Sequence, residues 1–130
     1  MRATLARSIE RADRAEDSVG RIARLSAMGA SELAAVLGGD PIEAAPWVRA
    51  AAMHGITEAQ VRLGRMLLDG AGMASDPAVA HRWFLRAATD GDADAMNMVG
   101  RCLENGWGVA ADDGAAAQWY RRSADRGHDW

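Results

Sequence analysis

The sequence predicts an all-α protein built from stacked helix-turn-helix repeats. Two observations carry this prediction. A period of 36 residues relates residues 59–94 to residues 95–130, and thirteen of the 36 aligned pairs are identical. Helix-capping residues and glycines recur with the same period, where helices would begin and end. Because such a repeat buries its apolar face by stacking on its neighbours, we expect function to belong to a surface rather than to a catalytic pocket.

The period divides the chain into four segments of a single solenoid domain. Residues 1–30 are predicted to form a charged amphipathic N-terminal helix or cap, and residues 31–58 a degenerate first repeat. Residues 59–94 and 95–130 are complete repeats. The first repeat lacks the paired glycines of the later two, and Gly38-Gly39 is its nearest candidate loop. Terminal repeats are commonly atypical, because one of their faces meets water instead of a neighbour.

Each complete repeat is predicted to contain two antiparallel helices, A and B, joined by short turns. Helix A of the first complete repeat should begin near Glu58, where Thr57 and Gln60 form a T-x-x-Q capping box. It should end at Gly70, because glycine readily takes the left-handed conformation that closes a helix. Gly106 holds the same position in the second complete repeat.

Helix B is predicted to begin at an aspartate followed by a proline. Asp76 would be the N-cap, and Pro77 would occupy the first helical position, where its missing N–H costs nothing. The pair Asp40-Pro41 repeats this arrangement one period earlier. Gly91 and Gly127 should end helix B in the two complete repeats, which gives helices of about a dozen residues.

Glycines also lie inside both predicted A helices, at Gly64 and Gly100. An internal helical glycine costs roughly 0.5–1 kcal/mol relative to alanine, so close packing must offset it. We expect the missing Cβ to let helix B approach with its tryptophan, Trp83 or Trp119. Both tryptophans are therefore assigned to the core rather than to a ligand-stacking role.

This arrangement of residues resembles the Sel1-like repeat, a relative of the tetratricopeptide repeats with a longer, glycine-rich turn inside each unit. The pattern A-x-x-x-L-G-x-x-(Y/L)-x-x-G-x-G-V-x-x-D-x-x-x-A-x-x-W-(Y/F)-x-x-A-A-x-x-G is matched twice in tandem, and the resemblance covers residues 40–127. Departures are mild, with Met73 in place of valine and Ser123 in place of alanine. In the first copy the matching residues are Ala59, Leu63, Gly64, Leu67, Gly70, Gly72, Asp76, Ala80, Trp83, Phe84, Ala87, Ala88 and Gly91.

The resemblance implies a right-handed α/α superhelix that acts as a non-catalytic adaptor and binds a protein or peptide on its concave face. It implies no catalytic residues and no cofactor. Two other roles stay open: a structural or oligomerisation module, which includes a fragment of a longer repeat array, and recognition of an envelope glycan or peptidoglycan fragment. The last role would require export.

Candidate binding residues are those of helix A that the core does not use, since the A helices of such repeats line the concave face. Arg65 and Arg101 recur at one phase and are expected to form a short basic row that pairs with carboxylates of an acidic peptide. The alternative is a solvated helix face. The candidates are Gln60, Arg62, Arg65, Asn97, Met98 and Arg101 on the helices, with Trp107 in the glycine-rich loop.

Charge and composition limit the other partners. All 15 basic residues are arginine and the net charge is −3, so nucleic acid is not expected to bind. Residues 1–25 carry about +2, and the N-terminal helix is interpreted either as a lid on the first repeat or as a surface for a partner or second copy. No apolar stretch predicts membrane insertion or a secretory signal, which leads us to expect a cytoplasmic protein.

The remaining reactive residue types do not form a recognisable catalytic or metal-binding motif. The three histidines, His54, His81 and His128, fall at different phases of the repeat, so no metal site is predicted. Cys102 is the only cysteine and excludes an internal disulfide; its phase predicts a buried side chain. A homo-oligomer is possible through the C-terminal repeat, with Trp130 and residues 115–126 in the contact, because no capping helix follows them.

Overall fold

The computed structural model describes residues 20–127, and within this range the chain forms seven helices and no strands. The predicted all-α class is thereby confirmed. Residues 1–19, with most of the predicted N-terminal helix, and residues 128–130, with Trp130, lie outside the described range. The helices are α1 (described over residues 20–27), α2 (Ala30–Leu37), α3 (Pro41–Met53), α4 (Thr57–Asp69), α5 (Pro77–Thr89), α6 (Ala93–Asn105) and α7 (Asp113–Asp125).

The helices pack in chain order, and each of α3 to α7 lies against its neighbours along the chain. Helices α4 and α5 are the A and B helices of one repeat, and α6 and α7 are those of the next, 36 residues later. In the first unit, α1 and the eight-residue helix α2 precede the B helix, and Met28 and Gly29 separate them. The loop at Gly38-Gly39 then leads into α3, as the sequence predicts.

The three B helices begin as predicted, at an aspartate whose side chain accepts backbone N–H groups of the first turn. Asp40 accepts from Ile42 N at 2.9 Å, and Asp76 accepts from Val79 N at 3.2 Å. Asp112 caps α7 in the same way. At the other helix type, Gly70 and Gly106 close α4 and α6 with φ angles of 70° and 71°. These caps satisfy terminal backbone groups that have no partner within their own helix.

The capping box predicted at the start of α4 is wrong. Thr57 already lies in the helix, and the N-cap is Ile56, which provides no side-chain hydrogen bond. Gln60 is 1% exposed and instead donates its Nε2–H to the carbonyl oxygen of Ala52 at 3.1 Å. That carbonyl lies in the last turn of α3, so Gln60 connects consecutive units rather than capping its own helix.

The glycines inside the A helices allow close packing, but against a different ring from the one predicted. A Cβ at Gly64 would lie 2.5 Å from Cε1 of Phe84, and one at Gly100 would lie 2.7 Å from Cε1 of Tyr120. Phe84 is fully buried, whereas Trp83 is only partly buried at the edge of the core. Successive helical residues point about 100° apart, so only one of the two neighbouring rings can face α4.

The second glycine of each glycine-rich loop serves a purpose that the sequence analysis did not identify. Gly72 has a φ of 74° and lies directly against the backbone of Pro41, so a Cβ there would collide with that carbonyl group. Gly108 has a φ of 70° and lies against Pro77 in the same manner. The loop of each complete repeat therefore rests on the first turn of helix B in the preceding unit.

Candidate functional site

The A helices expose one stripe of polar side chains each. Positions spaced three and four residues apart fall on one side of a helix, and here they alternate with the buried positions of α4 and α6. The packing of α4 and α6 against their neighbouring helices decides which of their residues reach the surface. We define the A-helix face as Glu58, Arg62 and Arg65 on α4 with Asp94, Asn97 and Arg101 on α6.

Two of the predicted binding residues do not reach this face. Gln60 is buried against the end of α3, and Met98 is only 4% exposed. Met98 holds the phase of Arg62, but its side chain is apolar and it turns into the core beneath Arg101, whose Nη1 lies 3.8 Å from its sulfur. The exposure predicted for Gln60 and Met98 was therefore wrong, while Asn97 and Arg62 are half-buried as part of the face.

Arg62 is held by the loop of the first unit. Its Nη2 donates to the carbonyl oxygen of Gly39 at 3.1 Å, which ties α4 to the turn between α2 and α3. Its Nε is buried and has no hydrogen-bond partner among the described residues. A buried donor without an acceptor costs free energy, so other contacts of Arg62, including the hydrogen bond to Gly39, must offset that cost.

Arg65 does not stand in a purely basic environment. A groove of about 190 Å³ separates α4 from the beginning of α6, and its walls bring Arg62 and Arg65 together with three carboxylates. Asp92, one of them, also caps α6 by accepting from Ala95 N at 2.8 Å. The other two are Glu58 and Asp94. With two guanidinium groups and three carboxylates, this groove presents mixed charge to a partner.

Arg101 shares the phase of Arg65 but has different surroundings. Its guanidinium carbon lies 5.6 Å from the ring centroid of Trp107, within the range of a cation–π contact. Trp107 is half-buried in the glycine-rich loop. The corresponding residue of the preceding repeat is Ala71, so Arg65 has no such ring to rest on. The two arginines are therefore exposed at one phase without being equivalent.

An apolar groove that the sequence analysis did not identify lies beside Arg62. It measures about 430 Å³ and runs between α2 and α4, and Glu58 and Arg62 form its polar edge. Leu33 and Leu37, spaced one helical turn apart, belong to its apolar wall. The spacing of these two leucines could have indicated an apolar helix face. The sequence analysis predicted only a degenerate repeat over residues 31–58, without the boundaries of α2, so this face was not recognised. The remaining wall residues are Ala30, Ala34 and Gly38.

Among the described residues, burial shifts the pKa of three side chains that lie outside the A-helix face. Burial raises the pKa of the Cys102 thiol to about 11. Burial and the hydrogen bond to Glu104 raise the pKa of Tyr120 to about 12, and burial lowers the pKa of His81. Within residues 20–127, no three His, Cys, Asp or Glu side chains are placed to hold a metal ion.

The 36-residue helix pairs described above correspond to a known repeat family. The Sel1 repeat profile matches residues 57–92 and 93–128. The chain belongs to the Sel1 repeat family. These family boundaries start each Sel1 repeat two residues before the 59–94 and 95–130 division, at the first residue of α4 and of α6. Sel1 repeat proteins generally mediate protein–protein interactions and are typically non-catalytic scaffolds.

Solved Sel1 repeat structures are similar over most of the chain. The crystal structure of a Sel1 repeat protein from Oxalobacter formigenes is 31% identical, with a TM-score of 0.66, and the match covers 73% of this chain and 76% of that one. The structure of c5321, a protective antigen present in uropathogenic Escherichia coli strains that displays an SLR fold, is 27% identical with a TM-score of 0.70.

The match to c5321 covers 92% of this chain but only 25% of that one, so the chain spans a quarter of the larger Sel1 repeat protein. No curated protein sequence matches the chain. Among the described helices, none is both long and apolar enough to cross a membrane.

Proposed function

We propose that this Sel1 repeat chain is a non-catalytic adaptor that binds an extended segment of a partner protein along the A-helix face. The observation that carries the proposal is the succession of two grooves on either side of α4. Glu58 and Arg62 line both the apolar groove of about 430 Å³ and the polar groove of about 190 Å³. A segment crossing α4 at these residues would contact both grooves.

The chemistry of the two grooves supports a segment with apolar and charged residues side by side. An aliphatic or aromatic side chain fits the apolar groove, which is within the usual size range of ligand pockets. Arg62 places its guanidinium group at the polar edge of this groove, where a backbone carbonyl or a carboxylate of the segment would accept a hydrogen bond. Arg65 and the three carboxylates of the polar groove then favour a partner of mixed charge.

The roles of the exposed arginines follow from this arrangement. Arg65 would pair with a partner carboxylate at the polar groove, and Arg101 would do so beside the ring of Trp107. Both are exposed in the unbound chain, so replacing them removes binding contacts without opening the core. Asn97 lies one helical turn before Arg101 on α6, is half-buried, and supplies a neutral donor and acceptor.

The proposal is tested with peptides selected from a random 12-residue display library on the full 130-residue chain. Binding of the selected peptides is then measured by titration calorimetry against Arg65→Glu/Arg101→Glu. We expect at least a tenfold loss of affinity, and a thermal midpoint within about 2 °C of the parent chain because exposed charges contribute little to stability.

The matched control is Arg49→Glu/Arg121→Glu, which makes the same change of charge at two exposed arginines of the B helices α3 and α7, outside both grooves. The selected peptides should bind this control within threefold of the parent chain. A second variant, Leu33→Asp, tests the apolar groove and should weaken the same peptides. Peptides that lose binding only in the B-helix control, or a library that yields no binding peptide, would overturn the proposal.

A further inference from the structure

The B helices carry a second repeated feature that the A-helix face does not explain. Trp83 on α5 is partly buried, and the guanidinium of Arg86 lies 5.4 Å from its ring centroid. One repeat later, the guanidinium of Arg122 lies 4.8 Å from the ring of Trp119. Each complete repeat therefore places an exposed arginine over the outer face of its tryptophan.

This contact leaves the arginine prepared to bind an anion. A guanidinium stacked on a ring keeps its N–H groups at its edge, where they can donate to a carboxylate in a fixed geometry. Within residues 20–127, the side chains of Arg86 and Arg122 make these ring contacts and no hydrogen bond or ion pair. Their donors are consequently available to an acceptor from outside the chain.

A pocket on α5 adds a second cation. It measures about 280 Å³ and is lined by Val79, Arg82, Trp83 and Arg86. Arg82 and Arg86 are both exposed and lie one helical turn apart, where like charges repel. Arg82 also makes no hydrogen bond or ion pair to another described residue. An anion between the two guanidinium groups would relieve their repulsion.

The balance of charge separates this pocket from the A-helix face. The polar groove beside Arg65 contains three carboxylates and two arginines, whereas the α5 pocket contains two arginines and no carboxylate. The chain as a whole has a net charge of −3, so this local excess of positive charge is opposite in sign to the rest of the surface. Complementarity to an anionic ligand is therefore greater on the B helices than on the A helices.

We infer that the surface of Arg82, Trp83 and Arg86, extended by Trp119 and Arg122, is a separate binding site for an acidic segment of a partner protein. The glutamate or aspartate carboxylates pair with the guanidinium edges, and the aliphatic stems of those residues lie on Val79 and the indole rings. A short acidic segment meets only the local basic patch. A long uniform polyanion, such as a nucleic acid, would also meet the acidic remainder of the chain.

The site is tested with acetylated hexaglutamate as the probe and acetylated hexaglutamine as its uncharged counterpart. Binding to the full chain is followed by nuclear magnetic resonance in low salt, through the indole N–H signals of Trp83 and Trp119 and the Nε–H signals of the arginines. Hexaglutamate should shift the signals of Trp83, Arg86 and Arg122 in a saturable manner. Hexaglutamine should leave them unchanged.

Two matched variants decide where the probe binds. Arg82→Gln/Arg86→Gln should weaken hexaglutamate at least fivefold, while Arg49→Gln/Arg121→Gln, which removes the same charge from exposed arginines outside both proposed sites, should change its affinity less than twofold. Equal loss in both variants would show unspecific attraction and overturn the inference, as would the absence of saturable shifts. Tighter binding of a single-stranded DNA hexamer at the same signals would also overturn it. None of these outcomes decides the fate of the A-helix proposal, which has its own variants.

Discussion

The backbone of Gly108 lies directly against the carbonyl group of Pro77, so the loop of the last repeat rests on the first turn of the preceding B helix. Gly72 makes the equivalent contact with Pro41 one repeat earlier. The second glycine of each G-x-G loop is therefore a contact between units. The first glycine, Gly106 or Gly70, ends a helix of its own unit.

Alanine substitutions at these two glycines should have different costs although their φ angles are nearly the same. Gly106→Ala should cost about 1–2 kcal/mol, because an L residue is strained at a φ of 71° while its Cβ meets nothing closer than 3.6 Å. Gly108→Ala adds a collision with Pro77 and should cost at least about 1 kcal/mol more. Urea unfolding of both variants measures the difference, and equal costs would contradict the proposed contact between units.

Substitution of the glycine inside α4 should reveal its contact with Phe84. Gly64→Ala improves helix propensity by up to about 1 kcal/mol but forces a methyl group into the ring, which costs about 1–3 kcal/mol. We expect a net loss in the parent chain. In a Phe84→Leu background the same change should be neutral or stabilising, because the shorter side chain leaves room. A double-mutant cycle by thermal unfolding that gives no coupling would refute this packing.

The single tyrosine permits a direct titration. Tyr120 donates its hydroxyl to Glu104 at 2.5 Å, and burial together with this bond raises its pKa to about 12 from a usual 10. Absorbance at 295 nm should show ionisation near pH 12 in the folded chain and near pH 10 in urea. Glu104→Gln should lower the folded pKa without restoring it to 10, since burial is the larger cause.

The same pKa difference predicts how stability depends on pH. Between pH 10 and 12 the unfolded chain loses the phenolic proton while the folded chain keeps it, so the free energy of unfolding should fall as the pH rises. Tyr120→Phe should remove this part of the alkaline loss. A variant whose unfolding free energy falls as steeply as that of the parent chain over this range would contradict the role of Tyr120.

Ala88 and Ala124 hold the same position in the two complete repeats, and substitutions there test whether burial of this position depends on a following repeat. Ala88 on α5, which packs against both α4 and α6, is 2% exposed, whereas Ala124 at the same phase on α7 is exposed. Ala88→Arg buries an unpaired charge and should cost more than about 3 kcal/mol, while Ala124→Arg should change stability by less than about 0.5 kcal/mol. Thermal unfolding compares the two, and a similar loss in both would mean that α7 is covered as α5 is.

The Ala124→Arg variant also tests the predicted homo-oligomer. If α7 forms a contact between copies, sedimentation of the full chain should show an association that strengthens with concentration and that Ala124→Arg abolishes. A chain that stays monomeric at high concentration, with or without this substitution, would count against the contact. The role predicted for Trp130 would need its own substitution, because that residue lies outside the described range.

The sequence predicted the helical repeat well because its strongest signals are local. An aspartate before a proline and a glycine after an apolar stretch act within one helical turn, so Asp76, Pro77 and Gly70 have the predicted positions. Contacts between helices were less predictable. Trp83 and Phe84 are adjacent and both apolar, and only the rotation of α5 against α4 decides which ring covers Gly64.

The candidate site was predicted in part for the same reason. The spacing of apolar residues along α4 and α6 correctly predicted that Arg65 and Arg101 are exposed. The spacing within one helix does not predict which residues of neighbouring helices lie beside them. Asp92 and Asp94 reach the groove of Arg65 only through the packing of consecutive units. Met98 is buried although its counterpart Arg62 is not. The two residues hold the same position in successive repeats, but one side chain is apolar and the other is charged.

Cys102 gives the last repeat an internal reporter. It is the only cysteine of the chain, it is fully buried in α6, and its thiolate is disfavoured by a pKa of about 11. A thiol reagent in solution therefore reacts only when α6 separates from its neighbours. The rate of labelling reports every opening that exposes α6, whether local or global, without any added probe. Compared with the rate of global unfolding, it measures whether the array melts as one body or loses its last unit first.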